Sequence, residues 1–283
     1  MTAQFLTDDF LAKSSVVGSE PREGLVRFIH PHRLRLSGVV MESRVWLKAR
    51  LNADTPKPFL IYARPRSGTT LLVDLLDQVN GVRCDGELLH SLVMRPVGLL
   101  RDLPKRAGPN VQAYGVKLLS YQLMEVQRVI RPIAFFERLK ALDYSIIHLK
   151  RNTWDQTLSL AKAQHSGVYF SGETRASSLR IDPEKFVALL RWNEAMLEYE
   201  DAVMSQVPHI PVNYEKDLEA SGRHQSTVSE LCRTLGVEVS IPVKASFKRT
   251  GGQRGSQKIE NMDELLSRSA EAGFSHLIPR IAA

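Results

Sequence analysis

The sequence lacks the features that would place it among disulfide-stabilised, zinc-stabilised or membrane-spanning proteins. Its 283 residues include two cysteines, Cys84 and Cys232, which are too few for a disulfide framework or a four-cysteine zinc site. The eight histidines show no metal-ligand spacing, so no metal is predicted. No apolar run approaches the roughly 20 residues of a membrane span, and the N-terminus, with Asp8 and Asp9, is unlike a secretory signal. These absences predict a cytoplasmic protein.

The composition is that of an ordinary globular protein with an excess of basic residues. Hydrophobic residues make up 43% of the chain and charged residues 24%, which excludes the disordered, collagen-like and coiled-coil classes. The 38 Lys and Arg residues outnumber the 31 Asp and Glu residues, giving a net charge of +7. That excess predicts an anionic partner, such as a phosphate-bearing ligand or a lipid surface. No nucleic-acid-binding motif is present, so nucleic acid is not expected, whereas a non-enzymatic domain that binds anions or a membrane stays an alternative.

Residues 1–57 form a predicted N-terminal extension, followed by a single domain over residues 58–283. The extension contains a basic amphipathic stretch from Arg22 to Arg50. This pattern is typical of a helix with a solvated charged face. The alternatives are acceptor binding and a peripheral contact that would hold the protein at a membrane. The sequence leaves the oligomeric state open between a monomer and a homodimer.

Short apolar runs alternate with amphipathic segments over the rest of the chain. Buried strands are predicted at 59–63, 113–119, 145–149 and 209–213, and helices at 69–79, 154–163 and 186–204. This alternation indicates βαβ units and hence an α/β fold, a P-loop-like parallel sheet with helices on both faces. Two irregular segments, residues 164–183 and 246–258, are predicted to be loops that close over a site.

The segment from Ala63 to Thr70 has the composition of a phosphate-binding loop. It lies between the first predicted strand and its helix, where free backbone N–H groups and the positive helix end meet the carboxyl edge of a sheet. Gly68 lets the backbone approach an anion, and three neighbouring hydroxyl side chains add hydrogen-bond donors. Arg66 supplies a cation two residues before that glycine.

The loop departs from the nucleotide-triphosphate motif G-x-x-x-x-G-K-S/T. Ala63 stands in place of the first Gly, and Thr69 stands in place of the Lys. The third predicted strand ends in Lys150-Arg151, without the Asp that would hold Mg²⁺ through water. The sequence therefore predicts a phosphate site without the parts for a β/γ-phosphate and its metal. A phosphotransferase with a degenerate P-loop stays an alternative.

The five residues from Arg66 to Thr70 resemble the 5′-phosphosulfate loop of sulfotransferases that use 3′-phosphoadenosine 5′-phosphosulfate (PAPS). The second motif of that family is an Arg at a strand end and a Ser eight residues later, and Arg151 and Ser159 match it after the third predicted strand. The resemblance implies a sulfotransferase domain with PAPS as donor, adenosine 3′,5′-bisphosphate (PAP) as product, and no metal.

Further segments resemble the bacterial carbohydrate and glycolipid branch of that family, the nodulation-type enzymes. They are Cys84–His90, Ala163–Tyr169, Tyr214–Leu218 and Lys258–Leu265. The resemblance covers residues 58–275 and leaves residues 1–57 unmatched. It implies that the acceptor is a hydroxyl of a carbohydrate, a glycolipid or a related small molecule.

The resemblance also implies a role for each donor-site residue. Arg66 would contact the bridging and leaving oxygens, and the groups that follow it would hold the 5′-phosphate. Arg151 and Ser159 would bind the 3′-phosphate, with a late basic loop closing over it. The implied donor-site residues are Arg66, Ser67, Gly68, Thr69, Thr70, Arg151, Ser159, Tyr214, Lys248 and Arg249.

The acceptor hydroxyl needs a general base, and Glu87 is the candidate. It lies just beyond the first predicted helix, and the matching branch uses a Glu there. His90 is the rival, since an imidazole commonly serves as a base near neutral pH. Lys117 at the end of the second predicted strand would face either the anion site or water. Tyr214 is open between packing and a site contact.

Overall fold

The computed structural model describes residues 31–50, 55–166, 178–246 and 259–278, with side chains from residue 38 onward. Its centre is a parallel five-stranded sheet in the order β2-β3-β1-β4-β5. The strands are β1 (Lys57–Ala63), β2 (Val82–Glu87), β3 (Ala113–Leu119), β4 (Ser145–Lys150) and β5 (Ile210–Asn213). The four predicted strands are confirmed, and so is the α/β class with a parallel sheet.

Helices connect the strands, and the three predicted helices are among them. The helices are α1 (Pro31–Ala49), α2 (Thr69–Asp77), α3 (Pro96–Asp102), α4 (Pro132–Ala141), α5 (Thr153–Ser166), α6 (Pro183–Met204), α7 (His224–Leu235) and α8 (Met262–Glu271). Short π-helical turns follow β3 at Gln122–Val126 and β5 at Tyr214–Leu218. None of the helices in the described ranges is long and apolar enough to cross a membrane.

Two hydrophobic clusters cover the two faces of the sheet. Phe59 and Ile61 of β1 join one cluster with α2 and α7, whereas Leu60 and Tyr62 join the other with the remaining helices. This division follows from the strand geometry, in which successive side chains point to opposite faces. The prediction of helices on both faces is confirmed.

Strand β2 is absent from the sequence-based prediction. It is an edge strand that pairs with β3 alone, so its buried and exposed side chains alternate and no continuous apolar run marks it. The pairing shifts register between Asp85 and Glu87, across Gly86. A bulge of this kind redirects the side chains that follow it, here Glu87 at the carboxyl end of the strand.

The described part of the predicted extension is a helix packed on the sheet domain. Val45 of α1 is 1% exposed and belongs to the larger core cluster. Glu42 accepts hydrogen bonds from the backbone N–H of Met94 and from Nε of Arg95, each at 3.0 Å. Residues 22–30 of the basic stretch lie outside the described residues, and the division at residue 57 stays a prediction.

The two irregular segments lie mostly outside the described residues, at 167–177 and 247–258. Their described ends meet at a parallel β-bridge between Leu179 and Ile259. Asn261 fixes this junction, since its side chain accepts from the N–H of Ile181 at 3.1 Å and donates to the same residue's carbonyl at 2.8 Å. That these loops close over a site stays a prediction.

Candidate active site

The residues at the carboxyl ends of the five strands form one row across the sheet. In spatial order they are Glu87 after β2, Lys117 in β3, the loop after β1, Arg151 after β4 and Tyr214 after β5. Neighbouring strands are about 4.8 Å apart, so adjacent members of this row lie within reach of one small ligand. The connection after β1 lies on one face of the sheet and that after β3 on the other. In open parallel sheets, ligands bind at the carboxyl ends of strands whose connections diverge in this way.

The loop after β1 presents backbone N–H groups at the start of α2. Gly68 at the N-cap has φ +95°, and it contributes no side chain that could bond to the first N–H groups of the helix. A Cβ atom added there would lie 2.4 Å from the ring of Tyr214, so only glycine fits against that ring. Arg66 has φ +66°, a conformation that non-glycine residues seldom adopt outside functional loops.

The structure brings the two sequence motifs together. Nε of Arg66 donates to Oγ of Ser159 at 3.2 Å, and the guanidinium of Arg151 donates to the carbonyl of Arg66 at 3.0 Å. The Arg151 guanidinium also lies 4.2 Å above the ring of Tyr214, a cation–π contact. Its Nε is buried without a hydrogen-bond partner. Tyr214 therefore both packs against Gly68 and orients Arg151.

Gln156 holds the loop, and the sequence interpretation missed it. Its amide donates to the carbonyl of Pro65 at 2.5 Å and to Oγ of Ser67 at 3.1 Å. Gln156 and Ser67 are both fully buried. Its spacing could have indicated this role, because Gln156 lies three residues before Ser159 on α5 and hence on the same helical face.

Arg64 is the second functional candidate that the sequence interpretation missed. Only 1% of it is exposed, and its Nε lies 3.3 Å from the carboxylate of Glu200, which is fully buried. The same guanidinium donates to the carbonyl of Arg151 at 3.1 Å and to the carbonyl of Asn193 on α6 at 3.1 Å. Burial lowers the pKa of Arg64, and the charge of Glu200 opposes that shift. Arg64 thus ties the loop after β1 to the residue that follows β4.

The acceptor-side candidates form a cluster at the ends of β2 and β3. Oε1 of Glu87 lies 2.8 Å from Nζ of Lys117, and its Oε2 accepts from the Gln122 amide at 2.6 Å. Lys117 is nine-tenths buried and therefore does not point into bulk water. Burial, together with the nearby charge of Glu87, raises the pKa of Tyr121 to about 12. The neutral phenol of Tyr121 keeps its proton at neutral pH and can donate a hydrogen bond.

The remaining predicted site residues occupy different settings. His90 is exposed, and its Nδ1 lies 2.6 Å from the carbonyl of Glu87. Thr69 is buried and Thr70 is exposed in the first turn of α2. Lys248 and Arg249 lie outside the described residues.

Neither a thiol nor a metal group joins this cluster in the described part of the chain. Cys84 is buried, and burial together with the charges of Asp77 and Asp85 raises its pKa, which disfavours the reactive thiolate. Among the residues that the structure describes, no three His, Cys, Asp or Glu side chains are placed to hold one metal ion.

Comparisons with known proteins find similarity among solved structures alone. No family model matches the chain, and no curated protein matches it. The fold is similar to the crystal structure of the mouse sulfotransferase SULT7A1 complexed with PAP, at 15% sequence identity and a TM-score of 0.39. The match covers 71% of this chain and 66% of that one. At those values, the function has to be inferred from the chain's own residues.

Proposed function

We propose that the chain is a sulfotransferase that moves a sulfuryl group from PAPS to a hydroxyl acceptor. The supporting observation is the row of groups along the carboxyl edge of the sheet. Two arginines, Arg66 and Arg151, stand at the centre of the row, and the carboxylate of Glu87 stands at one end. A donor with phosphates on the 3′ and 5′ oxygens of one ribose needs two cationic sites, and an attacking hydroxyl needs a base beside them.

The residues fit the donor by two properties of the site. The first turn of α2 has no side-chain cap, so its N–H groups can bond to a 5′-phosphate. The buried Nε of Arg151 has no hydrogen-bond partner and can donate to a 3′-phosphate. Ser159 lies close enough to Arg66 for both residues to contact the donor.

Sulfuryl transfer asks this site mainly for positioning and charge stabilisation. The acceptor oxygen forms a bond to sulfur while the bond from sulfur to the phosphate oxygen of the donor breaks, and PAP leaves. In this proposal Arg66 stabilises the negative charge that develops on the leaving oxygen. Glu87 takes the hydroxyl proton, and Lys117 together with Gln122 fixes the orientation of its carboxylate.

The phosphotransferase alternative lacks two parts on this chain. Thr69 occupies the position of the P-loop lysine and is buried in the first turn of α2. β4 ends in Lys150 and is followed by Arg151, so the strand ends without the Asp that P-loop phosphoryl transfer uses to hold Mg²⁺. A nucleoside triphosphate with its metal therefore fits these residues less well than PAPS does.

The acceptor that we propose is a hydroxyl of a carbohydrate or glycolipid, as in the nodulation-type branch. The cluster of Glu87, Lys117, Gln122 and Tyr121 offers hydrogen-bonding groups of both kinds, donors and an acceptor. Such a set suits a sugar, which presents several hydroxyls at once.

Donor binding is the first test. We expect PAP to bind in a calorimetric titration while ATP with Mg²⁺ gives no heat of binding. Arg151→Ala should weaken PAP binding about 10- to 150-fold, the equivalent of the roughly 1.5–3 kcal/mol of a charge-assisted hydrogen bond. Arg233→Ala, on the exposed surface of α7, is the matched control and should leave the affinity unchanged. Preferential binding of ATP with Mg²⁺ would favour the phosphotransferase alternative.

The role of Arg66 predicts a second result. Without an acceptor, the enzyme should transfer the sulfuryl group from PAPS to water at a low rate. Arg66→Ala should lower that rate about 100- to 1,000-fold, because one preorganised donor to the leaving oxygen is lost. Arg66→Asn should behave alike, since asparagine tolerates the φ of +66° and so separates loss of charge from backbone strain. A loss below tenfold in both variants, measured by PAP release, would remove Arg66 from this role.

A further inference from the structure

The outward face of α1 is both apolar and basic. Val40 and Leu47 at its centre are 47% and 60% exposed, and Trp46 at its edge is 36% exposed. Val45 and Ala49, on the opposite side of the helix, are buried in the domain. We call this surface the α1 outer face, made of Val39, Val40, Arg44, Trp46, Leu47, Lys48 and Arg50.

No acidic side chain interrupts the positive charge of this face. Between residues 38 and 50 the sequence has one acid, Glu42, which is buried and paired with Arg95. Two shallow depressions flank the helix. One contains Lys105 and the pair of Arg101 and Asp102 beside Trp46, and the other contains Arg106 beside Val40. Because Asp102 compensates the charge of Arg101, the following segments add Lys105 and Arg106 to the basic side chains of the helix.

We propose that the α1 outer face docks on a bilayer that contains anionic phospholipids. The argument combines two independent features of one surface. Exposed aliphatic side chains with a tryptophan suit the boundary between headgroups and acyl chains. Lysines and arginines around them attract the anionic headgroups and can extend toward water while their stems stay in apolar surroundings.

The same features disfavour two other occupants. A second copy of the chain, placed face to face, would bring the basic side chains of both copies together without a compensating acid. Nucleic acid would match the charge of Arg44 and Lys48 but would leave Leu47 and Val40 without a partner. A bilayer with anionic headgroups offers partners for both the apolar and the basic side chains of this face.

The buried side of α1 packs on the segment that follows the acceptor end of the candidate site. Gly38 of α1 packs so closely on the backbone of Leu92 that an added Cβ would lie 2.1 Å from its carbonyl oxygen. The segment from Leu88 to Arg95 leads directly from Glu87 to this contact, and Gln127 holds it through the carbonyls of Leu89 and Ser91 at 2.9 and 2.7 Å.

The three tryptophans allow this docking to be measured directly. Trp154 and Trp192 are buried, at 4% and 6% exposed, so Trp46 is the tryptophan placed to respond to a membrane. We expect the fluorescence of the full chain to shift to shorter wavelength with vesicles of phosphatidylcholine and phosphatidylglycerol, and brominated acyl chains to quench it. Trp46→Phe should abolish both responses, and vesicles of phosphatidylcholine alone should give little of either.

Two variants and one matched control make the proposal falsifiable. Leu47→Glu and the double variant Arg44→Glu/Lys48→Glu should each lower vesicle binding in co-sedimentation about tenfold or more. Ile241→Glu, equally apolar and 42% exposed but beside the opposite core cluster, should not change it. Absence of vesicle binding by the full chain would overturn the proposal. So would a dimer that Leu47→Glu dissociates, or duplex DNA binding that needs Arg44 and Lys48 but survives Leu47→Glu. PAP titration of the same variants reports the proposed function separately, since these residues lie outside the donor site.

Discussion

Glu200→Gln will lower the free energy of unfolding by about 3–5 kcal/mol, measured by urea denaturation. Glu200 is fully buried and its carboxylate lies 3.3 Å from the guanidinium of Arg64, which is 1% exposed. Replacing the carboxylate with an amide of the same shape leaves the buried charge of Arg64 without its ion-pair partner. The cost of that charge is much larger than the loss of one neutral hydrogen bond.

The pair Lys57 and Asp143 provides the matched control. Its ammonium and carboxylate lie 2.6 Å apart, but the side chain of Asp143 is 78% exposed. Asp143→Asn keeps a residue that tolerates the local φ of +64° and should cost no more than about 1 kcal/mol. If Glu200→Gln and Asp143→Asn lower the free energy of unfolding equally, burial of the Arg64 pair does not increase its contribution to stability.

A double variant separates stability from donor binding. Arg64→Met together with Glu200→Leu removes both buried charges and should recover a large part of the stability that Glu200→Gln loses. PAP affinity should not recover, because Arg64 also holds the carbonyl of Arg151 at 3.1 Å. Recovery of both quantities would show that Arg64 only packs the core and does not position Arg151.

Local sequence patterns predicted the central part of the fold because the central strands are buried on both faces. The run Phe59–Ala63 is apolar throughout, and its glycine-containing loop and amphipathic helix follow directly. The edge strand β2 was not predicted, because one side of it faces solvent and its sequence is therefore not an apolar run. It includes Arg83, Asp85 and Gly86. Its position depends on pairing with β3, which is not a local property of the chain.

The same distinction applies to the candidate site. Arg66, Arg151 and Ser159 could be predicted because each belongs to a short motif, and the structure brings all three together. The pair of Arg64 and Glu200 joins residues that are far apart in sequence, and nothing beside either residue indicates its partner. The sequence left open whether Lys117 faces the anion site or water. Its ion pair with Glu87 arises from the register of two strands.

Glu87→Gln will slow sulfuryl transfer to a carbohydrate hydroxyl about 100- to 10,000-fold, the range expected for loss of a general base. The carboxylate has four lone-pair positions, of which Lys117 and Gln122 use two, so a substrate hydroxyl still finds an oxygen free to accept its proton. The amide of the variant keeps the size of the side chain and cannot take up that proton. Turnover is measured with the sugar acceptor that a screen against PAPS identifies.

The expected pattern across three measurements distinguishes a base from a structural acid. In Glu87→Gln, turnover should fall while PAP affinity stays close to that of the unmodified chain. The urea midpoint should fall as well, because Lys117, which is nine-tenths buried, loses its counter-charge. His90→Ala is the matched variant of the rival base. The His90→Ala variant should keep most of the turnover, since His90 is exposed and its ring nitrogen Nδ1 contacts the backbone carbonyl of Glu87. A large loss of turnover in His90→Ala with little change in Glu87→Gln would move the role of base to the imidazole.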